Sequence, residues 1–219
     1  EHRHGDLEVF NSLPQAKVWG GPFGPFDFIS EGDSPSYLHL VDVGLGNLEN
    51  PSFGGWGGRL VPSDSAPNRW EDGTAAMDYN PFRGAPDATY PQTRWVPAIQ
   101  KDFAARADWC ISDYENANHP PKVQLRHPGV LAVQPGESVV LEVVATDPDG
   151  DPLQFSWWHY AEADSYRGIL DMADASAAGL SLSVPEDLKP GESIHLVAEV
   201  TDKAEHSMTR YARVILQYR

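Results

Sequence analysis

A chain of 219 residues, 41% of them apolar, has enough material to bury the core of one large or two ordinary domains. Its 16 basic against 32 acidic residues give a net charge of −16, which sets long-range repulsion against nucleic acid polymers and anionic membranes; neutral ligands, metal ions and polysaccharides fit better. No apolar run approaches the ~20 residues that cross a bilayer and no basic start followed by an apolar stretch marks a leader, while a first residue of Glu1 rather than Met leaves room upstream for a signal peptide or a whole domain.

From Glu1 to about Tyr114 periodicity is scarce, and Gly/Pro-rich stretches such as Gly20-Gly21-Pro22-Phe23-Gly24-Pro25 and Gly54-Gly55-Trp56-Gly57-Gly58 interrupt it. Two helices stand out. The first starts at Ser34-Pro35-Ser36, a capping Ser with Pro at the first helical position, and carries Tyr37, Leu38, Leu40, Val41 and Leu45 at helical spacing, with Gly44 or Gly46 as the stop. The second is predicted from Pro97 to about Ser112, with Ala98, Ile99, Phe103, Ala107 and Cys110 near one face and Lys101, Asp102, Arg106 and Asp108 elsewhere. Cys110 is the single cysteine, so no internal disulfide can form, and its place in the apolar pattern reads as a small core residue.

Asn116-Ala117-Asn118-His119-Pro120-Pro121 cannot continue a helix and reads as a short, stiff linker. The domain boundary falls there, giving residues 1–118 and 119–219. Candidate strands follow at Val123 to Arg126, Val130 to Val133, Val139 to Thr146, Leu153 to Tyr160, Leu180 to Val184, Ile194 to Thr201 and Thr209 to Tyr218. Asp147-Pro148-Asp149-Gly150-Asp151 supplies turn chemistry that predicts a hairpin between the third and fourth of these. Pro135-Gly136 and Pro190-Gly191 are matching turns, each leading through Glu-Ser into a strand. Seven short strands in about one hundred residues is the profile of an immunoglobulin-like β-sandwich.

Ser30-Glu31-Gly32-Asp33-Ser34-Pro35-Ser36-Tyr37-Leu38, Gly54-Gly55-Trp56-Gly57-Gly58-Arg59, Asp102-Phe103-Ala104-Ala105-Arg106-Ala107-Asp108-Trp109 and Asp147-Pro148-Asp149-Gly150-Asp151-Pro152-Leu153 stand in order along the chain. Together they resemble the C-terminal part of the bacterial cellulose-binding, nucleoside-hydrolase-like proteins. The resemblance implies an α+β plan: an incomplete nucleoside-hydrolase-like α/β region over 1–118, then an immunoglobulin-like β-sandwich over 119–219. It also implies a secreted or periplasmic protein that handles a polysaccharide or small glycoside. Nucleoside hydrolases hold Ca²⁺ with an Asp cluster near the N-terminus and one later Asp ahead of a helix, and Asp33 is similar to that later position. A hard cation takes about six to eight oxygen ligands, so a Ca²⁺ site here requires a missing N-terminal half of the same protein.

The residues leave several readings open. The alternating Asp147, Asp149 and Asp151 suit a turn better than a metal loop, since the later Glu of an EF-hand and the repeat of a β-roll are absent. Trp157 and Trp158 are adjacent in a strand and so face opposite sides of it. One belongs to a core; Trp158 with Tyr160 or Tyr166 is a candidate sugar-stacking surface, with packing beneath the 161–179 connection or at the domain interface as the plainer role. Trp56, among glycines that allow close backbone approach, is the aromatic candidate in the first half. No Gly-x-Ser-x-Gly, phosphate loop, His-Glu-x-x-His or paired-Cys zinc spacing occurs. Three functions remain: a carbohydrate-binding fragment, part of a Ca²⁺-dependent glycosidase or N-glycosyl hydrolase whose Asp-rich half is missing, and a structural accessory domain.

Overall fold

The computed structural model describes residues 17–18, 21–22, 37–172 and 175–219. Asp33 and the start of the first expected helix lie outside the described residues. A short antiparallel pair joins β1 (Lys17–Val18) and β2 (Gly21–Pro22).

Among the described residues that follow, helical backbone of the first expected helix is seen at Tyr37 and Leu38, and the chain runs irregularly past Leu40 instead of continuing as a helix to Leu45. A distant strand overrides the local pattern. The Asp42 carboxylate accepts the Gly44 amide at 3.0 Å, and the Val43 carbonyl accepts the Tyr211 amide at 2.8 Å. This seats Val43 and Leu45 in a core. Gly44 has φ +93°, and a Cβ there would collide with the Tyr211 carbonyl.

Two small antiparallel ribbons follow: β3 (Val61–Pro62) with β4 (Trp70–Glu71), and β5 (Asp78–Asn80) with β6 (Ala85–Asp87). Next come α1 (Tyr90–Thr93) and α2 (Val96–Asp108). The buried side of α2 is set by Val96, Asp102 and Ala105, and Phe103 is 70% exposed. Cys110 lies beyond the helix and is exposed, so the expected apolar face through Phe103 and Cys110 is corrected. The cause is a carboxylate: Asp102 turns inward because Arg210 Nη1 donates to its Oδ1 at 2.9 Å, while Arg106 donates to its Oδ2. A paired charge can be buried where an unpaired one cannot.

The polar stretch after α2 is pinned at several points. Trp109 Nε1 donates to the Asn118 carbonyl at 2.7 Å, and Asn118 Nδ2 donates to Asp202 and to the His206 carbonyl. The His119 amide donates to Asp149 Oδ2 at 2.6 Å, and the His119 ring lies against Trp109 and Tyr114.

Seven strands follow: β7 (Lys122–Leu125), β8 (Val130–Val133), β9 (Ser138–Thr146), β10 (Leu153–His159), β11 (Gly179–Ser183), β12 (Ser193–Asp202) and β13 (Thr209–Tyr218). They form a four-stranded sheet in the order β10-β12-β13-β8 and a three-stranded sheet in the order β11-β9-β7. All pairings within these sheets are antiparallel except β8 with β13. The expected hairpin between β9 and β10 is therefore corrected, since the two strands lie in different sheets and Asp147 to Pro152 carries the chain from one to the other. Its turn chemistry is real: the Asp147 carboxylate accepts the amides of Asp149 (2.9 Å) and Asp151 (3.1 Å), and Gly150 has φ +83°.

The two Pro-Gly turns are built alike. Gly136 and Gly191 have φ +75° and +86°, and in each turn the following Glu returns a carboxylate to a backbone amide: Glu137 to Gln134 and Glu192 to Lys189, both at 2.9 Å. The inner faces of the two sheets share one hydrophobic cluster, with Leu141, Val143, Leu180 and Leu182 from one side and Trp157, Leu196, Val200 and Val214 from the other.

Strand β9 alternates between buried or half-buried and exposed residues, as expected of a strand with one wet face. Strand β12 is buried almost throughout because the first half of the chain covers the outer face of the four-stranded sheet. Val43, Leu45, Trp56 and Trp95 pack there against Tyr160, Val197 and Tyr211, with Trp158 at the margin.

Candidate functional site

At one end of that covered face the first half stands off the sheet and leaves a cleft of about 380 Å³. Tyr90, Arg94 and Lys101 line it from α1, α2 and the residues between them; Trp158, Glu199, Thr201, Thr209 and Tyr211 line it from the sheet. Strand pairing explains why the sheet residues converge. Trp158 lies opposite Val197, Glu199 opposite Tyr211 and Thr201 opposite Thr209, so these side chains project from neighbouring strands on the outer face. The Thr201 and Thr209 hydroxyls are 2.9 Å apart.

Arg94 organises the floor. Its guanidinium lies 4.4 Å from the Tyr160 ring centre, 4.8 Å from Trp158 and 5.3 Å from Trp95. It also pairs with Asp78 at 3.2 Å and approaches Glu162 at 3.9 Å. Burial opposes its charge, but the nearby Tyr160, Asp78, Glu162 and Tyr90 groups outweigh that and raise its pKa. Glu199 shifts up from the usual carboxylate range because it is desolvated, with a Trp158 hydrogen bond and the Arg94 charge acting against the shift. Lys101 Nζ donates to Ser207 Oγ at 3.1 Å. The cleft thus offers one partly exposed indole, a carboxylate, an ammonium group and several hydroxyls.

Of the aromatic residues singled out in the sequence, only Trp158 borders this cleft. Trp56 is 3% exposed beneath the glycine turn, Tyr160 is fully buried with its hydroxyl spent on Asp78, and Tyr166 is buried with its hydroxyl donating to Asp187 at 2.8 Å. None of these three has a free ring face for a sugar, which corrects their reading as stacking residues. The opposed facing of Trp157 and Trp158 holds, one in each hydrophobic cluster. Tyr90, Lys101, Glu199 and Thr201 escaped sequence reasoning because they come from separate elements with no motif joining them.

The carboxylates that the described residues bring together do not fit a calcium cage of the kind the resemblance implies. Asp147, Asp149 and Asp151 each offer an oxygen within 4.8 Å of the others, but they stand in the second half of the chain. Oxygens of Asp147 and Asp149 already accept backbone amides of the turn and the linker.

Residues 138–218 match the family model described as the C-terminal domain of cellulose-binding protein Sde0182. Residues 10–60 match the nucleoside hydrolase-like domain of cellulose-binding Sde182. The chain is similar to these Sde0182-type proteins in both segments. A solved structure of a nucleoside hydrolase-related hypothetical protein from Saccharophagus degradans, described as associated with carbohydrate metabolism, is similar over 100% of this chain, with 29% identity and a TM-score of 0.73. The match covers 55% of that protein, so the chain spans little more than half its length. Three domains of the bacteriophage RB49 outer capsid protein Hoc align with 44% of this chain and 30% of their own at 14% identity, but the TM-score of 0.29 carries no argument. No curated protein matches. The sheet side of the cleft lies within the Sde0182-type C-terminal match, whereas Tyr90, Arg94 and Lys101 lie between the two matched segments.

Proposed function

We propose that the chain binds a neutral polysaccharide through the cleft between α2 and the outer face of the four-stranded sheet, as the glycan-holding part of a nucleoside-hydrolase-like protein. The observation that carries this reading is the company Trp158 keeps. A pyranose has apolar C–H faces and a rim of hydroxyls, and this cleft places a partly exposed indole beside the Glu199 carboxylate, the Lys101 ammonium and the Thr201 hydroxyl. Its volume of about 380 Å³ falls in the lower part of the range for small-ligand sites, ~300–1,000 Å³. The cellulose-binding descriptions of both matched family models support the same ligand class. In this reading the two facing sheets are an immunoglobulin-like sandwich that supplies one wall of the cleft, and the protein works outside the cytoplasm, where polysaccharide is met.

Titration calorimetry with soluble cello-oligosaccharides tests it. Trp158→Ala is expected to weaken binding about tenfold or more, the range for losing a well-packed aromatic contact. Equal affinity in the variant removes the cleft from the reading. No heat with the unaltered chain removes the reading itself.

A further inference from the structure

The β5–β6 ribbon is inside out. In an ordinary exposed ribbon the apolar residues face the protein and the polar ones face water. Here the inward positions are Asp78 (0% exposed), Asn80 (2%) and Asp87 (8%), while Tyr79 is 53% and Phe82 66% exposed. Pro86 stands directly opposite Tyr79 in the register and is exposed as well, so the two share the outer face, with Phe82 in the turn that joins the strands.

The inner face accounts for the ribbon's stability. Asp78 accepts from Arg59 at 2.7 Å, from Arg94 at 3.2 Å and from the Tyr160 hydroxyl at 2.8 Å. Asn80 Nδ2 donates to Asp87 Oδ2 at 2.9 Å, and Asp87 Oδ1 accepts both the amide and the hydroxyl of Thr89. The Tyr79 amide is held by Glu162 at 2.9 Å. A two-stranded ribbon alone is marginal, and this one is fixed by polar contacts that ask nothing of its outer side chains. Two aromatic residues and a proline thus stay exposed on a ribbon whose backbone is fixed from its other side.

We propose that this outer face is a second carbohydrate-binding surface, a shallow platform on which Tyr79 and Phe82 stack against the ring faces of a β-linked glucan at the surface of an insoluble polysaccharide. The proposal rests on the polysaccharide reading of the chain and adds a site separate from the Trp158 cleft. Charge selects the occupant. On a chain of net charge −16, the exposed residues of the outer face and the turn, Tyr79, Pro81, Phe82, Gly84 and Pro86, are all uncharged. The one exposed ion at the ribbon tip, Arg83, sits 3.3 Å from Asp87. A neutral glycan face meets such a patch without the repulsion an anionic surface would meet. Aromatic side chains have few torsions to fix on binding, which favours affinity from a small contact.

The test uses the full chain and two readouts: adsorption to microcrystalline cellulose and titration with soluble cello-oligosaccharides. Tyr79→Ala/Phe82→Ala is expected to lower the adsorption constant about tenfold while leaving oligosaccharide affinity unchanged; Tyr79→Phe, which keeps the ring, should adsorb like the unaltered chain. Adsorption unchanged in the double variant, or absent in a chain that still binds oligosaccharides, overturns the platform and leaves the cleft standing. A parallel loss of both readouts in the double variant also overturns it as a separate site. An unaltered chain that neither adsorbs nor binds oligosaccharides overturns the polysaccharide reading on which the platform depends. Adsorption to a protein-coated resin equal to that on cellulose, lost in the double variant, would assign the patch to a protein partner and overturn the glucan.

Discussion

Tyr160, the residue just after β10, donates its hydroxyl to Asp78 Oδ2 at 2.8 Å, across 82 residues of sequence. Burial, with the Asp78 carboxylate, pushes that phenol well above its usual pKa, so it remains a donor at every working pH. Asp78 also takes Arg59 and Arg94, so one buried carboxylate joins the small ribbon, the glycine turn, the helix start and the sheet. Tyr160→Phe is expected to cost about 1 kcal/mol, because Asp78 keeps its two arginines. Asp78→Asn leaves Arg59 without its counter-charge and Arg94 with only Glu162 at 3.9 Å, and should cost about 3 kcal/mol. Urea unfolding midpoints check the order; equal losses would mean that the arginines are solvated independently of Asp78.

Gly44 and Gly191 separate backbone strain from collision. Both have positive φ, +93° and +86°, but nothing lies within 4 Å of a Cβ at Gly191, whereas one at Gly44 would strike the Tyr211 carbonyl. Gly191→Ala should therefore cost only the backbone term, about 1 kcal/mol. Gly44→Ala should cost clearly more, about 3 kcal/mol, because the Val43–Tyr211 hydrogen bond must open as well. Thermal melts of the two variants should differ by several degrees in that direction.

His195 predicts a pH dependence. Its pKa falls from 6.5 to about 3, first through burial, then through the Arg213 guanidinium at 3.1 Å and through His159. The folded form thus binds its proton later than the unfolded chain does. Above about pH 6.5 the residue contributes no pH dependence; as pH falls from there toward 3 the unfolded chain takes up the proton first, and stability declines. His195→Gln should flatten this part of the curve when unfolding free energies of the two proteins are compared between about pH 4 and 7. Curves that stay parallel over that interval would show that His195 is protonated while folded.

The strands were legible because their evidence is local. Alternation marks β7 to β13 to within a residue or two, and the two Pro-Gly-Glu-Ser segments announce turns that prove to share one hydrogen-bond pattern. Partner choice was not legible. The acidic segment from Asp147 to Pro152 has the chemistry of a turn, but whether the strand after it pairs back or crosses to another sheet depends on residues fifty positions away. The buried face of α2 was hidden for the same reason, since Asp102 looks like a surface residue until Arg210 is beside it. Of the site, the sequence yielded Trp158 alone. The polar residues of β12 and β13 alternate as if facing water, and nothing nearby reveals that the first half of the chain lies on top of them.

A protein segment that moves between genes as a cassette needs an outside that water will accept. The four-stranded sheet has no such outside, since detaching residues 37–118 would bare Trp158, Tyr160, Val197 and Tyr211 together. The polar stretch at 116–121 separates two lengths of sequence that share this cluster. A change at Trp95 or Val43 is therefore felt at Trp158, Tyr160 and Tyr211, and the two halves share one core instead of resting side by side.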